Sequence, residues 1–165
     1  MQTTASSVPE FSFHRRVLPS SLTQLSSPKG KRLFRESLLS DHAEAYLILA
    51  EQFVTQSEPA YCALATLVMI LNAFGIDPNV RWKDIWRWYG SEDMILKQCH
   101  INMEEVRQSG LVMEQFASLG RCQGLNITLK RPIPLEESST MDDTQYYDLH
   151  EFRQDIIQMV QNPPM

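Results

Sequence analysis

Apolar residues recur along this chain in short stretches of helical spacing, separated by polar or proline-marked breaks. Ser27-Pro28 offers a helix start, and Leu33, Phe34, Ser37, Leu38 and Leu39 follow at three-to-four spacing, so a helix is predicted over 28–40. Asp41 is placed to cap a second helix through Ala45, Tyr46, Leu49 and Phe53. Pro59 opens an apolar helix over 59–74, closed by Gly75, and Asp77-Pro78-Asn79 reads as a turn. The apolar run Tyr61–Ile76 contains Thr66 and Asn72 and is shorter than a membrane span, so a buried helix is expected there. Trp82, Ile85, Trp86 and Tyr89 repeat at helical spacing; core packing is expected of this aromatic cluster rather than cofactor stacking. Helices are predicted over 102–109 and 112–121, with Gly110 between them, and Leu125, Ile127 and Leu129 alternate as in one strand over 125–130. Pro132–Asp143 is polar and acidic, as in a linker, before an amphipathic stripe of Leu149, Phe152, Ile156 and Val160 on a last helix. Residues 1–10 read as a flexible tail, 11–19 as extended and 20–27 as a polar loop.

Composition narrows the class. A length of 165 residues suits one domain or a large part of one, and 43% hydrophobic residues supply a core. The net charge of −5, from 15 basic and 20 acidic side chains, argues against a nucleic-acid partner. The N-terminus lacks the layout of a secretory signal, so a cytoplasmic protein without a membrane segment is expected. Three cysteines do not read as a disulfide framework and fit a compartment where thiols stay free.

Among them, Cys62 falls in the first turn of the predicted helix, where unpaired backbone N–H groups and the positive end of the helix dipole favour negative charge. Gln56, six residues earlier, could aim its amide at the same space as the Cys62 backbone N–H, giving two donors for an oxyanion. A buried packing cysteine is the competing reading, and the local signature Cys-Gly-Ser/Ala-Cys-Trp/Tyr is absent.

The run Gln52-Phe53-Val54-Thr55-Gln56-Ser57-Glu58-Pro59-Ala60-Tyr61-Cys62 resembles the nucleophile segment of the phytochelatin synthase family. The resemblance continues through Phe13-His14-Arg15-Arg16-Val17-Leu18-Pro19, His42-Ala43-Glu44-Ala45-Tyr46, Leu67-Val68-Met69-Ile70-Leu71-Asn72-Ala73, Trp86-Arg87-Trp88, Glu92-Asp93-Met94 and Arg121-Cys122-Gln123-Gly124. It covers roughly residues 11–130 and implies an α+β, papain-like fold, of which this chain would be mainly the helical half with little strand. It further implies Cys62 as nucleophile, Gln56 as oxyanion donor, and transfer of γ-Glu-Cys from glutathione to glutathione or a phytochelatin. No organic cofactor is implied; cadmium or zinc would stimulate as activators or as metal–glutathione thiolate substrate.

Two departures stand out. Ala63 replaces the family's usual glycine, and the family's later His and Asp segments have no counterpart, so residues 11–165 read as a truncated N-terminal part of the catalytic domain. None of His14, His42, His100 and His150 lies in the expected context, and His150, the late one, falls on an ordinary helix position. No general base is therefore identified, and a non-catalytic form that binds glutathione or metal-thiolates, or pairs with a full-length copy, is the alternative. Exposed apolar surface is expected on the isolated chain, with homodimerisation or instability as consequences. Cys99, beside His100, and Cys122 are candidate soft-metal ligands, although no Cys-x-x-Cys spacing supports them.

Overall fold

The computed structural model describes residues 17–132 and 145–163. The expected tail over 1–10 and most of the expected linker lie outside the described residues. The chain divides into two units, Met1–Ser40 and Asp41–Met165.

The first unit holds α1 (Pro28–Leu39). Its start follows from local chemistry: Ser27 Oγ accepts the Gly30 N–H at 3.0 Å, and Pro28 supplies a preset φ where no N–H is needed. Gly30 packs directly under the carbonyls of Gln24 and Leu25, where a Cβ would collide with backbone.

The second unit begins with α2 (Glu44–Glu51), which Ala43 and not Asp41 precedes; Asp41 adopts a left-handed φ of 57° in the turn ahead of it. The central helix is α3 (Cys62–Ala73). Leu64, Leu67, Val68 and Leu71 recur at i, i+3, i+4 and i+7, and all are fully buried. Each contributes on the order of 1.5–3 kcal/mol by leaving water, which is why this helix anchors the unit. It starts three residues later than predicted, because Glu58 to Tyr61 closes as a turn with Tyr61 N–H donating to Glu58 O at 3.0 Å. Gly75, at φ 64°, ends it as expected.

A short helix, α4 (Asp93–Gln98), has no counterpart among the predicted helices; it buries Ile95 and Leu96 against α3 residues in one apolar cluster. Then come α5 (Met103–Ser109), capped by Asn102, and α6 (Met113–Cys122). Val106 and Leu119 complete the same cluster with Tyr61 and Tyr89. The strand expected over 125–130 is displaced: β1 (Lys130–Pro132) pairs in parallel with β2 (Gln145–Tyr147), with Arg131 opposite Tyr146. Residues 125–129 stay irregular, where Arg121 Nη2 donates to Ile127 O at 2.7 Å. Last comes α7 (Leu149–Gln161), whose cap is reciprocal: Asp148 Oδ1 accepts the Glu151 N–H at 2.8 Å, and Glu151 accepts the Asp148 N–H at 2.9 Å. Helix α2 packs against both α3 and α7, and α3 packs against α6. The described architecture is thus mostly helical with little strand, α+β in kind.

The aromatic segment departs from its helical spacing. Left-handed Lys83 and Asp84 turn the chain back, and Trp82 N–H donates to Trp86 O at 2.7 Å. Only Tyr89 of the four enters the core; Trp86 remains 60% exposed. No described helix is long and apolar enough to cross a membrane.

Candidate active site

Cys62 is the first residue of α3, and its side chain is exposed as a free cysteine. Its two neighbours on the apolar face are not: Tyr61 is 1% exposed and Leu64 fully buried. The helix phase therefore drives Tyr61, Leu64 and Ala65 into the core and turns the Cys62 sulfur outward. Tyr61, at the N-cap, offers no side-chain hydrogen bond to the first turn, so the leading N–H groups are left for another acceptor. Inside the helix, Thr66 Oγ1 donates to Cys62 O at 2.8 Å.

The loop entering this turn is fixed from several directions. Glu92, the buried charged residue of the described core, receives Ser57 N–H on Oε1 at 2.9 Å and Ser57 Oγ–H on Oε2 at 3.2 Å. Arg107 on α5 reaches Glu58 at 3.4 Å, an exposed pair of small energetic weight that still restricts the loop. Gln56 Nε2 donates to Glu58 O at 2.9 Å and to Pro59 O at 2.8 Å. Both amide hydrogens thus tie down the loop that precedes the thiol.

At the far end of α3, Asn72 grips the chain at Tyr89 twice, donating to Tyr89 O and accepting Tyr89 N–H, each at 2.9 Å. Tyr89 OH donates to Gln123 Oε1 at 2.6 Å. Burial pushes the Tyr89 phenol above its ordinary value, and the Asp77 carboxylate adds to the rise. Glu92 and Asn72 carry no signal in spacing alone, because their partners lie 35 and 17 residues away.

The histidines are dispersed. His42 Nε2 is 2.9 Å from Gln161 Nε2, His100 is exposed in a left-handed turn after α4, His150 is exposed in the first turn of α7, and His14 lies outside the described residues. The expectation of free Cys99 and Cys122 thiols acting as metal ligands is overturned: the two form a disulfide across α4 and α6. Sulfurs bonded to each other are not thiolate ligands, and among the described residues no group of three or more metal-ligating side chains converges.

The phytochelatin synthase family profile matches residues 13–164, nearly the whole chain, with Cys62 inside it. The chain belongs to the phytochelatin synthase family. It is 36% identical over 146 residues to a glutathione gamma-glutamylcysteinyltransferase of Schizosaccharomyces pombe, covering 88% of this chain and 32% of that protein. It is 40% identical over 131 residues to glutathione gamma-glutamylcysteinyltransferase 3 of Lotus japonicus, covering 79% and 26%. Against glutathione gamma-glutamylcysteinyltransferase 1 of Arabidopsis thaliana it is 38% identical over 133 residues, covering 80% and 26%. The chain therefore spans a third or less of the length of these phytochelatin synthase relatives.

Proposed function

We propose that this chain carries the nucleophile of a glutathione γ-glutamylcysteinyltransferase, with Cys62 in that role. The observation that carries the reading is an exposed thiol at the first position of a buried helix, within a chain of this family. The Cys62 sulfur attacks the carbonyl carbon of the Cys–Gly bond of glutathione; a sulfur–carbon bond forms, the carbon–nitrogen bond breaks, and the thiol proton passes to the departing glycine amine. The amino group of a second glutathione or a phytochelatin then attacks the thioester, the new amide forms, and the thiolate returns. The oxyanion of each tetrahedral intermediate falls to the free N–H groups of the α3 first turn. Gln56 joins them once one of its amide hydrogens leaves the Glu58 or Pro59 carbonyl.

The same reading takes the fold as the helical half of a papain-like domain and the setting as cytoplasmic. Cadmium or zinc enters as part of a metal–glutathione thiolate substrate, so no organic cofactor is needed. Incubation with glutathione and cadmium should yield γ-Glu-Cys oligomers and free glycine by mass spectrometry, and Cys62→Ser should abolish both. Product that persists in Cys62→Ser would remove the assigned nucleophile. Glutathione binding without glycine release would favour the alternative, a non-catalytic form that binds glutathione or metal-thiolates or pairs with a full-length copy. The observation favouring that alternative is the Gln56 amide, fully engaged with loop carbonyls.

A further inference from the structure

The Cys99–Cys122 disulfide is chemically lopsided. Cys122 ends α6 and is exposed, whereas Cys99 caps α4, is partly buried and packs against the apolar cluster. Gln123 Nε2 donates to Cys99 Sγ at 2.9 Å and lies 4.0 Å from Cys122 Sγ. The orientation of that amide is fixed, because its oxygen receives the Tyr89 hydroxyl at 2.6 Å. Beside Cys122 lies a cleft of about 370 Å³, lined by Asp77, Asn79, Tyr89, Gln98, Cys122 and Gln123. Thiol–disulfide exchange runs fastest where the attacked sulfur is accessible and the departing sulfur is stabilised as thiolate. Here the two requirements are met by different ends of one bond.

We propose that this disulfide is a thiol-exchange site at which a low-molecular-weight thiol such as glutathione adds covalently to Cys122, with Cys99 as the leaving sulfur held by Gln123. The incoming thiolate attacks Cys122 Sγ and forms a mixed disulfide. The Cys99–Cys122 bond breaks, and its electron pair goes to Cys99 Sγ, which accepts the Gln123 N–H. A second thiol then attacks the mixed disulfide, releasing an oxidised thiol dimer and a Cys122 thiol. Oxidised glutathione reverses the sequence with the same balance. The exchange reaches the candidate active site through α4: Cys99 closes one end of this helix, and Glu92 at the other end holds Ser57 in the loop before Cys62.

This inference does not rest on acyl transfer, and its test separates the two. In the 165-residue chain carrying Cys62→Ser, Cys99 and Cys122 are the remaining cysteines. After mild treatment with oxidised glutathione and desalting, the protein should show no free thiol. Brief exposure to excess glutathione, followed by N-ethylmaleimide, should give one glutathione adduct, mapped by peptide mass spectrometry to Cys122, with the maleimide on Cys99. Gln123→Leu should slow adduct formation by about tenfold, the scale of losing one hydrogen bond to a developing charge. Hydrogen exchange at the Ser57 amide should quicken in the adduct. Two freely alkylated cysteines after the oxidising step would overturn the proposal, as would an adduct placed chiefly on Cys99. An unchanged rate in folded Gln123→Leu would overturn the role of Gln123, and unchanged Ser57 exchange would overturn the coupling through α4.

Discussion

Replacing Glu92 with alanine tests how the loop before Cys62 is held. The carboxylate is 7% exposed and accepts two hydrogen bonds from Ser57, while its side chain makes no cap bond to α4. The loss therefore falls mainly on the loop rather than on the helix end. A hydrogen bond to a charged acceptor contributes roughly 1.5–3 kcal/mol, and the backbone bond at 2.9 Å merits about the middle of that range. Ser57 is exposed, so water can replace part of the hydroxyl bond, leaving about 1 kcal/mol there. One lost buried methylene adds about 0.8 kcal/mol. Glu92→Ala should thus cost about 4 kcal/mol, a fall in Tm of roughly 8–16 °C for a chain of this size. Glu92→Gln keeps the shape and one acceptor and should cost about 1 kcal/mol. Urea unfolding gives both values, and hydrogen exchange should show the Ser57 amide losing protection before amides of α3 such as Leu67. A loss under about 0.5 kcal/mol in Glu92→Ala, or equal losses in the two variants, would refute the assignment of the carboxylate as the loop's anchor.

Other expectations follow from the same contacts. Asn72→Ala strands the N–H and C=O of Tyr89 and should cost about 2–4 kcal/mol in denaturant titration, whereas Asn72→Asp, which loses only the donor, should cost less but still measurably. Leu67→Ala, at a site with no exposed surface, should destabilise by about 2–5 kcal/mol in the same assay. Tyr89 has a folded-state pKa raised above its unfolded value of 10.0, so its contribution is fully present below about pH 10 and is lost as pH rises through the higher folded value. Thermal melts across that range should show a decline that Tyr89→Phe reduces, and an identical profile in the variant would discount this phenol. Cys62 should be alkylated by iodoacetamide in the native state without unfolding, and labelling that needs denaturant would contradict its exposure.

Local pattern was enough for the long helices. Ser27-Pro28 marks the start of α1, and the stripe Leu149, Phe152, Ile156 and Val160 marks α7, so both helices are legible from neighbouring residues. The apolar stripe of α3 is legible for the same reason, whereas the exposure of Cys62 follows from the burial of Tyr61, Leu64 and Ala65 around it. Spacing failed where distant groups decide. Trp82 to Tyr89 has helical periodicity, yet the left-handed Lys83 and Asp84 and the Asn72 clamp on Tyr89 hold it as a turn. Helix α4 has too few residues to announce itself and exists because Ile95 and Leu96 complete a core built by others.

The sequence by itself determined the family and the apolar stripe of the helix that begins at Cys62, because these depend on residues adjacent along one chain. Tertiary structure alone decided that Glu92 anchors Ser57 and that Cys99 and Cys122 meet as a disulfide. Those pairings arise from packing α4 and α6 against the buried face of α3, and contacts set by packing leave no periodicity in the sequence to read.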